Sequence, residues 1–181
     1  MIFNIIDFGL FRRKGVEPDR PLLRPEMGPI DWLLEAIALL GLMFFFGYII
    51  YHFPNLPETI PTHFNGSGQA DEYGGKSSFL ILPGVSLFIY IMLTLINLIP
   101  NRFNFTVKIT PANALKQYTM AMRMVRTLKA TLICFFLYIS YGTVQVAKGA
   151  ATGLGLWFLF FFTGIIVVPL VIYFILAKKA R

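Results

Sequence analysis

P-N-L-P-E-T-I-P-T-H-F-N-G-S-G-Q-A-D-E-Y-G-G-K-S-S, residues 54–78, is the one long polar stretch lying between two runs apolar enough to cross a bilayer. It carries Pro54, Pro57 and Pro61, then Asn65-Gly66, Gly68 and Gly74-Gly75. Proline fixes φ and removes a donor, whereas glycine permits positive φ. The stretch therefore reads as a shaped loop with several tight turns, neither strand nor helix, with Gly68 and Gly74 expected at positive φ. It also holds His63, one of two histidines in the chain.

The composition around this loop is that of a membrane protein. Hydrophobic residues make up 56% of the 181 and charged residues only 14%, where a soluble domain carries about 25% charged residues. The formal charge of +7 is explained by where lysine and arginine sit relative to a bilayer, so no nucleic-acid partner is expected. The single Cys134 lies in an apolar run and can form no internal disulfide.

Taken in order, residues 1–29 form an arm. Its apolar start, residues 1–11, is followed by Arg12, Arg13 and Lys14, which suits a segment lying at the interface. A four-span membrane domain is expected over 30–177, with spans near 31–53, 77–100, 130–147 and 154–177. Asp31 is placed to cap the first span. Glu35, one turn further, is an acid just inside a membrane helix, and it either functions there or pairs with a boundary lysine or arginine. Pro83-Gly84 should loosen the second span near its start. Thr110-Pro111 reads as the start of an interfacial helix over 111–129, with Leu115, Tyr118, Met122 and Val125 at helical spacing, bending into the third span. Pro169 should kink the fourth span, and a basic tail, 178–181, follows.

Lysine and arginine alternate along this plan. The arm has Arg12, Arg13, Lys14, Arg20 and Arg24, and residues 101–129 have Arg102, Lys108, Lys116, Arg123, Arg126 and Lys129. The tail has Lys178, Lys179 and Arg181, against Lys76 alone in the first loop and Lys148 alone in the third connection. The positive-inside rule then puts both termini in the cytoplasm and the 54–78 loop outside.

Within the loop, the spacing P-x-x-I-P-T-H-F-N-x-x-G-x-x-D-x-x-G-x-K is dense: Pro57, Ile60, Pro61, Thr62, His63, Phe64, Asn65, Gly68, Asp71, Gly74 and Lys76. This pattern, set in residues 45–91, resembles the signature of a bacterial membrane family of unknown function, DUF1648. The stretch Asn101 to Tyr118 is also similar to stand-alone members of that family. The resemblance extends to the N-terminal part of the membrane proteins that confer immunity to the sporulation-delaying toxin. The additional membrane module of those immunity proteins is not seen here. What the resemblance implies is a membrane protein in which the signature residues shape the loop or bind a ligand.

Read as chemistry, His63 and Asp71 make a pair for a ligand or a metal ion, with His52 as a further candidate ligand. The spacing matches no standard metal template. Read as structure, Asn65 and Asp71 cap turns, His63 bonds loop carbonyls, and Lys76 anchors at headgroups. No triad, phosphate loop or nucleophile elbow is present in the sequence, and it names no cofactor.

The expected architecture is an all-α, integral membrane four-helix bundle with an N-terminal interfacial segment and a structured extracytoplasmic loop. The expected function is non-enzymatic recognition of a peptide, lipid or partner protein at a bacterial cytoplasmic membrane, in an immunity, sensing or accessory role. The lipid bilayer is one partner, and a membrane-protein partner or homo-oligomer is another. Metal-assisted hydrolysis at the outer leaflet, or a part in solute transport, is the alternative.

Overall fold

The computed structural model describes residues 20–180; the expected interfacial segment over 1–11, with its basic triplet, lies outside them. Helix α1, Pro29–His52, begins with proline at its first position, where the missing donor costs nothing. Asp31 sits in the first turn and accepts from the Gly28 N–H at 3.0 Å. It thus reaches back to the cap from inside the helix and adds an acid where the dipole favours one.

After a 3₁₀ turn, Phe53–Asn55, the chain does what the sequence reading did not expect. Residues 54–78 contain a β-hairpin: β1, Thr59–Phe64, pairs antiparallel with β2, Ala70–Gly75. The prolines that argued against a strand are accommodated. A two-stranded sheet has only edges, so the missing Pro61 N–H need not interrupt an inner ladder. The register is irregular on both sides of His63, between Pro61 and Phe64. The fold is therefore a helical membrane bundle carrying one small sheet.

A 3₁₀ segment, Lys76–Leu80, leads into α2, Ile81–Ile96. Pro83 falls in the first turn of α2, where an amide has no intrahelical acceptor, so it helps begin the helix instead of loosening it. Helix α3, Ala114–Ala147, is continuous over 34 residues, roughly 51 Å against a hydrocarbon core of about 30 Å. The expected interfacial helix and third span are one element, because the Leu115–Val125 periodicity runs on into the apolar stretch. Its N-cap is Asn113, not Thr110. The Asn113 side chain accepts from the Thr110 N–H at 2.9 Å and donates to the Lys108 carbonyl at 3.0 Å, fixing the turn ahead of the helix. Helix α4, Phe158–Lys179, contains Pro169 and closes the chain.

Helix α3 is the centre of the bundle and packs against α1, α2 and α4. Its buried contacts form layers along its length. Val107, Ile109, Ala114 and Tyr118 pack at its start. Ala38, Leu42, Ala130 and Ile133 pack in the middle. Phe45, Ile49, Leu56, Ile60, Phe79 and Val144 tie α1, α3 and the hairpin together at the far end. Gln117, fully buried, donates to the carbonyls of Ala177 and Ala180 at 2.9 and 3.0 Å. Those are acceptors that the end of α4 leaves free, so the amide anchors α4 to α3.

Candidate functional site

The hairpin is built by its polar residues. The Asn65 side-chain oxygen accepts from the N–H groups of Ser67 and Gln69 at 3.0 and 3.1 Å, the local substitute for a ladder that asparagine offers in turns. Gly68 has φ +76°. A Cβ there would meet the Gly155 carbonyl oxygen at 2.5 Å, so this position needs glycine twice over. Gly74 is different. It does not have positive φ; instead, a Cβ would come within 2.9 Å of the Thr62 methyl across the strands. At the base, Lys76 pairs with Glu58 at 2.7 Å and lies over the Phe53 ring.

The tip of the hairpin is clasped by the link between α3 and α4. The Leu154 N–H donates to the Gly68 carbonyl at 2.7 Å, and Gln69 bridges Gly153. Tyr138 on α3 donates its hydroxyl to the Leu154 carbonyl at 2.6 Å. Leu154 fills the space that Gly142 leaves open on α3. The sequence reading missed this clasp; its only local trace was the glycine content of residues 149–155.

Beneath β1 lies a cavity of about 380 Å³. Its wall comes from β1 (Ile60 to Phe64), the start of α2, and Phe135, Ile139 and Thr143 of α3. Leu154, Phe158, Leu159 and Phe162 complete it. A mostly apolar pocket with a few polar groups at its edge is the usual form of a small-molecule or side-chain site. His63 is one of those polar groups, and its Nδ1 lies 2.6 Å from Asp71 Oδ1. Both side chains are exposed, 57% and 41%. The hydrogen bond to Asp71 holds the His63 pKa above its ordinary value, helped by the charges of Asp71 and Glu72.

Pro57, Ile60, Pro61, His63, Phe64, Asn65, Gly68, Asp71, Gly74 and Lys76 thus all fall on one hairpin and its base, and His63 bonds to Asp71, not to loop carbonyls. His52 does not join them. It ends α1, packs on the rings of Tyr48 and Tyr51, and lies 3.2 Å from Lys148 Nζ. Among the described residues, no three His, Cys, Asp or Glu side chains gather as a metal site would need.

At the other end of the bundle Glu35 lies in an ion cluster. Asp31, 1% exposed, accepts from Arg123 at 3.0 and 3.2 Å and from Arg126 at 3.1 Å. Glu35 pairs with the fully buried Lys129 at 2.6 Å, and Lys129 also donates to Thr94 at 2.9 Å and faces the Tyr90 ring. Arg126 Nε lies 3.3 Å from Glu35 Oε1, an angle too poor for a hydrogen bond. Two acids of α1 and three bases of α3, with Thr94 and Tyr90 of α2, thereby gather where the surroundings are apolar. Lys129 is the boundary base that one of the two sequence readings offered Glu35, whereas the role of Asp31 as acceptor for Arg123 and Arg126 had no sequence signal.

These observations define a multi-pass membrane protein: among the described residues, four helices are long and apolar enough to cross a bilayer. Residues 38–87, from mid-α1 through the hairpin into α2, match the family model described as "Domain of unknown function (DUF1648)". An uncharacterized protein of Archaeoglobus fulgidus is 46% identical over 52 residues, which is 29% of this chain and 26% of that protein. The chain thus spans about a quarter of the length of that relative, which is archaeal where the signature pointed to bacteria. No solved structure matches the chain.

Proposed function

We infer that the protein is a non-enzymatic binding protein of a bacterial cytoplasmic membrane, with both termini inside and the hairpin outside. The hairpin and the cavity beneath it receive an amphipathic ligand, a peptide or lipid segment, for sensing, immunity or an accessory role. The observation that carries this reading is the placement of the His63–Asp71 pair on the edge of the 380 Å³ apolar cavity. With Nδ1 committed to Asp71, Nε2 is left to hydrogen-bond a polar group of the ligand while the apolar part enters the cavity. The alternation of basic residues supports the orientation. A catalytic zinc takes three protein ligands, and among the described residues the pair has no third beside it.

The test uses His63→Gln, whose amide stands where Nε2 does, and Asp71→Asn, which keep hydrogen-bonding side chains and remove titration, beside Thr143→Phe, which fills the cavity. Recognition by hydrogen bonds and shape requires the amide variants to fold and keep binding, and Thr143→Phe to fold and lose it. Loss in both amide variants with Thr143→Phe unaffected would favour proton transfer or metal chemistry instead. The wild type should also show a pH signature. A histidine whose pKa is raised by folding contributes stability fully below its unfolded value, about 6.5. That contribution disappears as pH rises through the raised folded value. Protection of the hairpin amides, measured against the intrinsic exchange rate at each pH, should therefore fall from mildly acidic to alkaline pH in the wild type and not in His63→Gln.

A further inference from the structure

A second, larger cavity of about 680 Å³ runs between α1, α3 and the first half of α4, lined from Leu34 and Thr127 through Cys134 to Tyr138 and Trp157. The stacked rings of Phe135 and Phe162, 3.3 Å apart, stand in the wall it shares with the hairpin cavity. From Thr127 to Tyr138 helix α3 rises roughly 16 Å, about half of a 30 Å hydrocarbon core. The groove thus has the length of one leaflet's acyl chain.

What closes the groove is charged. Thr127 donates its hydroxyl to the Arg123 carbonyl one turn earlier, and Leu34 stands one turn after Asp31. The Arg123–Asp31 pair therefore lies one turn beyond the lining residues on both helices. Among the described residues, Arg123, Arg126 and Lys129 pair only with Asp31 and Glu35, which leaves one positive charge in excess. Arg126 and Lys129 are enclosed, whereas the Arg123 side chain is 38% exposed. Its Nη1 makes no hydrogen bond among the described residues. The surplus charge is thus presented at the mouth of an apolar groove of one-leaflet length.

We propose that this groove holds one acyl chain of an anionic phospholipid whose phosphate is received by Arg123. The surplus cation selects an anionic headgroup over a zwitterionic one, because the latter brings its own positive charge.

Native mass spectrometry of the purified protein with phosphatidylglycerol or phosphatidylcholine of identical chains tests this. One phosphatidylglycerol should be retained, with a preference of about fivefold, the increment of one basic side chain at a membrane surface. Arg123→Gln, which leaves Arg126 on Asp31, should erase the preference. Thr131→Phe, which fills the groove, should remove the lipid. Excess inorganic phosphate should not displace it. Equal retention of both lipids by the wild type would overturn the proposal, and so would displacement by phosphate alone. Retention of the lipid in well-folded Thr131→Phe would do the same, as would a dimer that Thr131→Phe dissociates. If either variant fails to fold, the headgroup comparison on the unaltered protein decides alone.

Discussion

Asp31→Ala is expected to destabilise the bundle by about 3–5 kcal/mol, the cost of removing one partner from a buried ion pair. Asp31 is the shared acceptor of two guanidinium groups and of the Gly28 N–H. Arg123 can turn toward headgroups when Asp31 is gone, but Arg126, 6% exposed, cannot. It would keep only its imperfect approach to Glu35, which already serves Lys129. Asp31→Asn should cost less, since an amide oxygen still accepts from Gly28. Exchanging both Asp31 and Arg126 for apolar residues should recover much of the loss, because the penalty comes from the orphaned charge. Thermal unfolding in detergent reads all three. Wild-type stability in Asp31→Ala would mean that Arg126 reaches water by a route these contacts do not allow.

Gly153→Ala should release the hairpin tip. The new Cβ would overlap the Gly68 carbonyl, which is backbone and cannot rotate away. The same carbonyl accepts from Leu154, so that bond breaks as the strands part. Overpacking of this kind costs about 1–3 kcal/mol. Gly68→Ala should behave alike, because it combines positive φ with the close Gly155 carbonyl. Gly66→Ala is the control: nothing lies within 4 Å of its Cβ and its φ is not positive, so an effect within about 0.5 kcal/mol is expected. Limited proteolysis at the hairpin together with thermal unfolding separates the three. Equal behaviour of Gly153→Ala and Gly66→Ala would show that the tip is not clasped.

What the sequence revealed depended on range. The spans were legible because uncharged runs of helix-spanning length leave few alternatives, and Asn65-Gly66 announced its turn through local hydrogen bonding. The strands were not legible, since Pro61 argues against a ladder and only the two-stranded context makes it tolerable, while Pro57 lies just ahead of β1. Gly68 and Gly74 looked alike in sequence, yet one answers to backbone conformation and the other to a methyl group across the strands. The pairing of His63 with Asp71 was one of two readings the spacing allowed. The contacts of Gly68 with residues 153–155, and of Asp31 with Arg123 and Arg126, join residues about half the chain apart. No local pattern encodes such contacts.

The central claim is that the space under the hairpin is a binding site. Benzoylphenylalanine in place of Phe64, whose ring lines that cavity, tests it most directly when irradiated in intact membranes. The account predicts one discrete adduct with a peptide or lipid, lost when Thr143→Phe fills the cavity and retained in His63→Gln. Indiscriminate labelling of bulk phospholipid, or an adduct indifferent to Thr143→Phe, would contradict it.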